Sequence, residues 1–276
     1  MVDYRSCKID RLPALGDLEV VDVAFHDVEF GTHFHETFTF GVVTGGRKVI
    51  EYGCQTHIVR PGGVILMAPN ELHAVRGADS SGWRNLMLYP SPAMVADMLD
   101  CDDVAHLRFT AAVVEDGHLC HAVKRAAHTA LSKASLLEKE TALADMILMA
   151  TTRYGENSDL IDTRSAPKSN LKRAFDYLHD NVCENVGLSD LAAIAGCGRF
   201  KIINAFKDHV GMPPHAYQVQ LRIALAQRML RRKESVVNVA MACGFFDQSH
   251  FNRHFKKHVG VPPRYYQLPI SIVSSD

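Results

Sequence analysis

Residues 206–217 read FKDHVGMPPHAY, and residues 255–266, 49 positions later, read FKKHVGVPPRYY. Eight of the twelve positions are identical: Phe, Lys, His, Val, Gly, the Pro-Pro pair and the closing Tyr. An internal repeat this dense marks two copies of one structural unit. Upstream of each copy stand a short Ala-rich helix pattern, a glycine and a second helix pattern. In the first unit these are LSDLAAIAG (188–196) and GRFKIINAFK (198–207); in the second, VVNVAMACG (236–244) and FDQSHFNRHFKK (246–257). Helix, glycine turn and helix is the helix-turn-helix plan.

Each part of that plan has a residue suited to it. Ala192, Ala195 and Ala240 are small enough for close packing in the first helix, and Gly196 and Gly244 can take the positive φ of the turn. Ile202/Phe206 and Phe251/Phe255 are spaced i, i+4 and are expected to face the core. The other faces would then carry Phe200, Ile203, Asn204 and Lys207 in one unit, and Gln248, Ser249, Asn252, Arg253 and Lys256 in the other. Asn and Gln pair bidentately with adenine and Arg with guanine at major-groove edges. The bland reading makes these the solvated faces of a structural bundle. Between the units, residues 214–233 (PHAYQVQLRIALAQRMLRRK) form an amphipathic helix pattern that would hold two reading helices about one DNA turn (~34 Å) apart. Its Arg222, Arg228, Arg231 and Arg232 read either as phosphate contacts or as plain surface charges.

Working outward, the chain has 276 residues, 47% hydrophobic and 22% charged, which excludes wholesale disorder and low-complexity architecture. That length favours two domains. The total charge of −1 argues against a nucleic-acid partner until it is divided. Residues 1–164 hold 15 Lys+Arg against 23 Asp+Glu, a net of −8, and residues 165–276 hold 15 against 8, a net of +7. An acidic half joined to a basic half is a pointer to a nucleic-acid module. Seven widely spaced cysteines without a CxxC pair argue against a disulfide framework or zinc finger and for a reduced, cytoplasmic setting. No apolar run has the ~18 residues of a membrane span, and residues 1–17 lack a signal-peptide stretch.

The acidic half opens with short β-type runs between glycine and proline turns: VVDVAF (20–25), FTFGVV (38–43), KVIEY (48–52), HIVRPGGVILMAP (57–69) and WRNLMLYP (83–90). Such spacing predicts a sandwich or barrel. Residues 117–134 and 137–154 then carry helical patterns, in the second of which Leu143, Ile147 and Ala150 can share a face. Residues 155–169 read as a linker. The domains expected are therefore 1–160, with that linker at its end, and 170–276.

The C-terminal hundred residues resemble the DNA-binding domain of the AraC/XylS transcription regulators, and residues 236–266 carry that family's signature closely. The resemblance implies base-reading positions at Gln248, Ser249, Asn252 and Arg253, and at Phe200, Ile203 and Asn204 in the first unit. Common members often carry Gln and Arg where Ile203 and Asn204 stand. Readout by the first helix would then rest on Asn204, with Phe200 and Ile203 touching thymine methyls.

In the acidic half, THFHE (32–36) and PGGVILMAPNELHAV (61–75) resemble the two cupin motifs, and the domain is similar to the effector-binding cupin of many AraC/XylS members. His33 and His35 share one strand face, and His73 is the third histidine. These three are the expected effector-binding residues. A His-x-His with a distant His also suits Zn²⁺ or Fe²⁺. Metal-binding cupins usually add a Glu four residues after the second His, where Thr39 stands here, so no metal or other cofactor is expected. Arg47, Glu51, Tyr52 and Trp83 are further pocket candidates that the sequence does not rank.

The expected fold is an all-β cupin-like barrel with dimerisation-type helices, then an all-α domain with two helix-turn-helix units joined by a long helix. The expected function is a sequence-specific regulator, an activator by resemblance, whose partners are promoter DNA, a small-molecule effector, a second copy of the chain and RNA polymerase, with no membrane. No nucleophile elbow, P-loop or dinucleotide fingerprint occurs, and no enzyme activity is expected. Two rivals remain at this stage: a metal-dependent cupin enzyme with a DNA-binding appendage, and a basic half that binds proteins.

Overall fold

The computed structural model describes residues 3–26, 28–101, 103–156, 168–259 and 262–267. The chain divides into two compact units, one made mainly of residues up to 164 and the other mainly of residues from 165 onward. Among the described residues no helix is long and apolar enough to cross a membrane.

Two antiparallel sheets make the first unit. One contains β1 (Asp3–Leu12), β2 (Leu18–His26), β4 (Thr39–Gly46), β7 (Val64–Met67), β9 (Trp83–Tyr89) and β10 (Val113–Val114), in the order β1-β2-β9-β4-β7-β10. The other contains β3 (Glu29–His33), β5 (Lys48–Tyr52), β6 (Gln55–Val59) and β8 (His73–Gly77), in the order β3-β8-β5-β6. Every neighbouring pair is antiparallel. Residues from both sheets, including Val43, Ile50, Val59, Ile65, Met67 and Met87, form one apolar cluster.

Strand β4 lies between β9 and β7, and Thr39 to Val43 are all buried. Burial on both faces explains why this stretch reads as a continuous apolar run rather than an alternating one. The helix α2 (Gly117–Ala130) packs on β4 and β9 and supplies the outer cover. Gly41 leaves room for the Met87 side chain, whose sulfur would lie 2.2 Å from a Cβ built there.

Two further helices belong to this unit, α1 (Pro92–Leu99) and α3 (Leu136–Tyr154). In α3, Leu143, Ile147 and Ala150 are fully buried, as their spacing predicts. Asp116 caps α2 by accepting from the amides of His118 and Leu119. Its other oxygen accepts from Arg153 Nη1 at 2.7 Å and Tyr154 Oη at 3.0 Å, tying the start of α2 to the end of α3.

Strands β1, β3, β8 and β10 were not legible as strands. β1 mixes charged and apolar residues, and it forms because its backbone pairs along β2, from Asp3 opposite His26 to Leu12 opposite Leu18. The run 57–69 is two strands, β6 and β7, broken at the Pro-Gly-Gly turn.

The second unit is helical: α4 (Lys168–Asp180), α5 (Leu188–Ala195), α6 (Arg199–Val210), α7 (Pro214–Arg231), α8 (Val236–Ala242), α9 (Gln248–Val259) and α10 (Pro263–Tyr266). Of the expected linker, residues 157–167 lie outside the described residues. Its geometry explains the twelve-residue repeat. The opening Phe and closing Tyr of each copy meet edge to face, Phe206 with Tyr217 at 5.8 Å and Phe255 with Tyr266 at 5.4 Å between ring centroids. The second proline of each pair, Pro214 and Pro263, starts the next helix, where a missing N–H costs nothing. Gly196 and Gly244 take φ of +66° and +73° at the turns. Val219, Ile223, Ala226 and Leu230 of α7 pack with Val239, Ala240, Phe251 and Phe255 into the core of the second unit's C-terminal half.

Candidate nucleic-acid interface and effector cavity

Helix α9 buries one face and exposes part of the other. Phe251 and Phe255 are fully buried, Ser249, Arg253 and Lys256 are exposed, and Gln248 and Asn252 are half-buried. Asp247 caps the helix by accepting the amide of His250 at 2.7 Å. The exposed edge therefore presents hydroxyl, guanidinium and ammonium groups from one rigid helix.

Helix α6 differs. Ile202 and Phe206 are buried as expected, but Phe200 and Ile203 are buried too, each 1% exposed, and so is Ala205. The apolar surface of this helix runs round more than one face, and its removal from water outweighs the two-faced pattern. This corrects the expectation that Ile203 reaches a thymine methyl. Of the three residues expected to read bases, Asn204 alone is half-buried rather than buried.

A second correction concerns Arg222, which is 4% exposed and is no phosphate contact. Its Nε donates to the carbonyl of Val182 at 2.8 Å, Nη2 to Glu184 at 2.7 Å and Nη1 to Gly244 at 2.8 Å. One turn earlier on α7, Gln218 Nε2 donates to the carbonyl of Glu184 at 3.1 Å. The side chains of α7 thus satisfy the carbonyls of the α4–α5 connection and of the turn in the second helix-turn-helix. Arg228 and Arg232 remain exposed, and Arg231 donates to Tyr266 Oη at 2.9 Å.

In the first unit the two sheets enclose a cavity of about 300 Å³. Val21, Val23, Ile65 and Met87 supply apolar walls; His33, His35, His73, Lys48, Trp83 and Asn85 supply polar groups. His33 and His73 face each other across the β3–β8 register, with rings 4.3 Å apart, and His35 lies 5.2 and 5.3 Å from them. Nδ1 of His33 lies 2.8 Å from the carbonyl of Gly31, and Nδ1 of His73 lies 2.9 Å from that of Glu71. A carbonyl accepts only from a protonated nitrogen, so Nδ1 carries a proton in both rings. Burial, reinforced by the neighbouring His73 and His33, lowers His35 to about 4, and burial also lowers His73. Those two rings are therefore neutral at pH 7.

Ligating atoms of the three histidines all lie within 4.8 Å of one another, which suits either a hydroxyl-rich ligand or one metal ion. Thr39 lines the same cavity where a carboxylate ligand would be needed to complete a four-residue metal set.

Of the other pocket candidates, Arg47 is ion-paired with Asp79 at 2.7 Å and Glu51 with Arg76 at 3.6 Å, both at the surface. Tyr52 is half-buried beside the core cluster, and Trp83 lines the cavity. Sequence reading missed Lys48 and Asn85. Alternation was the available signal for Lys48, because Lys48, Ile50 and Tyr52 share one face of β5.

Comparison with known proteins agrees with both halves. Residues 15–150 match the model of the AraC-like ligand binding domain, and residues 191–268 match a helix-turn-helix domain model. The HTH-type transcriptional regulator YbfI of Bacillus subtilis is 24% identical over 224 residues, 80% of this chain and 81% of that protein. The HTH-type transcriptional activator RhaS of Shigella flexneri is 21% identical over 250 residues, 88% and 90% of the two chains. Among solved structures, an AraC-type regulator from Chromobacterium violaceum is 28% identical, covering 36% of this chain and 90% of its own, at a TM-score of 0.35. ToxT from Vibrio cholerae is 10% identical, covering 91% and 97%, at a TM-score of 0.38. With a ligand-binding barrel and a pair of helix-turn-helix units in one chain, matched in that order, this protein belongs to the AraC family of DNA-binding transcription regulators.

Proposed function

We propose that this regulator binds a small-molecule effector in the barrel cavity and, on binding, shifts between conformations of unequal affinity for promoter DNA. His33, His35 and His73 contact the effector. Asn204, Gln248, Ser249, Asn252 and Arg253 read bases, with Lys256 on a phosphate. The observation that carries the reading is a cavity lined by polar groups in the same chain as an exposed basic helix α9. Activation rather than repression is the output, as for the related transcriptional activator RhaS. The chain works in the cytoplasm as a homodimer formed through α2 and α3, contacts RNA polymerase, and catalyses no reaction.

The test uses the full-length protein. Selection from random duplexes should return a preferred site, and affinity for it should fall about 10³-fold or more between 50 and 200 mM salt. A metabolite that raises the melting temperature should change that affinity, and His33→Ala with His73→Ala should abolish both effects. A protein that binds DNA without sequence preference, or whose stabilising ligands leave DNA affinity unchanged, overturns the proposal. Metal content of the purified protein tests the other occupant of the histidine cluster.

A further inference from the structure

Lys48 begins β5 opposite Val59 on one side and Gly77 on the other, and it is 3% exposed. Among the described residues it is the only lysine or arginine in the cavity lining, and no aspartate or glutamate lines that cavity. Among the described residues it has neither an ion pair nor a hydrogen bond. An ammonium taken out of water without a partner is strongly disfavoured. Burial alone pushes Lys48 down to about 7.

Two more polar groups in the same lining lack a partner. Trp83 Nε1 and Asn85 Oδ1 are shielded from solvent and unbonded, in side chains 3% and 5% exposed. They sit two residues apart on β9 and so share its inward face. Buried donors and acceptors are normally satisfied, and each that is not costs stability. Those two atoms are shielded from the cavity as well, so the match rests on Lys48: a cation lining a cavity without an acidic neighbour suits a ligand that brings negative charge with it.

We propose that the effector is a small carboxylate-bearing molecule, its carboxylate paired with Lys48 and its apolar body against Val21, Val23, Ile65 and Met87. This rests on the effector reading of the cavity and specifies the ligand's chemistry. The carboxylate accepts from Lys48 Nζ, the one cationic donor that lines the cavity among the described residues. At about 300 Å³ the cavity is at the small end for ligand sites, which limits the body to a short chain or a single ring.

The experiment is a thermal-shift titration of the full-length protein with straight-chain carboxylates from butanoate to octanoate and with cyclohexanecarboxylate. Each is run beside its primary amide and its alcohol. At least one carboxylate should raise the melting temperature by several degrees while its amide and alcohol do not. Lys48→Met should melt higher than the parent without ligand, because an apolar isostere replaces an unpaired buried ammonium, and should lose the carboxylate response. Lys48→Arg, which keeps the charge, should retain the preference.

If amides or alcohols stabilise as well as their carboxylates, or if Lys48→Met keeps the carboxylate response, the inference falls while the effector cavity stands. A Lys48→Met protein that melts lower than the parent or does not fold gives Lys48 a structural role and overturns the assignment. A panel in which nothing of any class binds counts against the carboxylate and the effector reading together.

Discussion

The guanidinium of Arg222, in the helix that joins the two helix-turn-helix units, donates to the carbonyl of Gly244 at 2.8 Å. Two further bonds from the same group reach Val182 and Glu184, between the fourth and fifth helices. Close packing reinforces the tie: a Cβ on Gly244 would lie 2.1 Å from the carbonyl oxygen of Cys183. The turn of the second unit is thereby held against the entrance of the first. A mutual orientation fixed in this way is what reading two successive grooves requires.

Gly244→Ala should destabilise the helical unit by about 2–4 kcal/mol, from a positive φ of +73° and the backbone clash together. Arg222→Met should cost about 2 kcal/mol, because the carbonyls of Val182 and Gly244 lose a charged donor, while that of Glu184 still accepts from Val186 N and Gln218 Nε2. Chemical denaturation checks both. An Arg222→Met protein of parental stability would make the bridge ornamental.

Arg253→Ala should weaken binding to the preferred site by about 1–3 kcal/mol and relax base preference at one position. Lys256→Ala should instead weaken all sequences alike and reduce the salt slope by about 1. Quantitative binding to site variants at two salt concentrations separates these effects.

Ile203→Ala should behave as a core substitution, losing about 2–4 kcal/mol of stability. Comparing its melting with its site preference tests whether Ile203 belongs to the core or to the DNA face. Parental stability with altered base preference would restore Ile203 to the DNA face.

Asp116→Ala should cost about 1–2 kcal/mol through the lost helix cap and the Arg153 and Tyr154 bonds. The amide of Leu119, with Arg153 and Tyr154, holds this carboxyl at about 2, below its ordinary 3.8. Its contribution is complete above pH 4 and disappears as pH falls toward 2, where the folded state must also protonate it. Melting curves across that window should fall less steeply for the variant than for the parent.

The sequence by itself determined the helical half in some detail. Its repeat, turn glycines, proline pairs and i, i+4 core residues are local features of helices, and helix periodicity carries them openly. Charge asymmetry between the halves and the three cavity histidines were equally legible, although His35 lies just beyond the end of the third strand and not on it with His33. Tertiary structure alone decided three other matters. It buried Arg222 against carbonyls 38–40 residues earlier and 22 residues later, converting an apparent surface charge into an internal brace. It removed Ile203 from the reading face, because the area buried on a helix depends on everything packed around it. It also left Lys48, Trp83 and Asn85 together without partners. Which buried polar groups stay unsatisfied depends on what the opposite strands bring to meet them, and sheet pairing sets that between residues far apart in the chain.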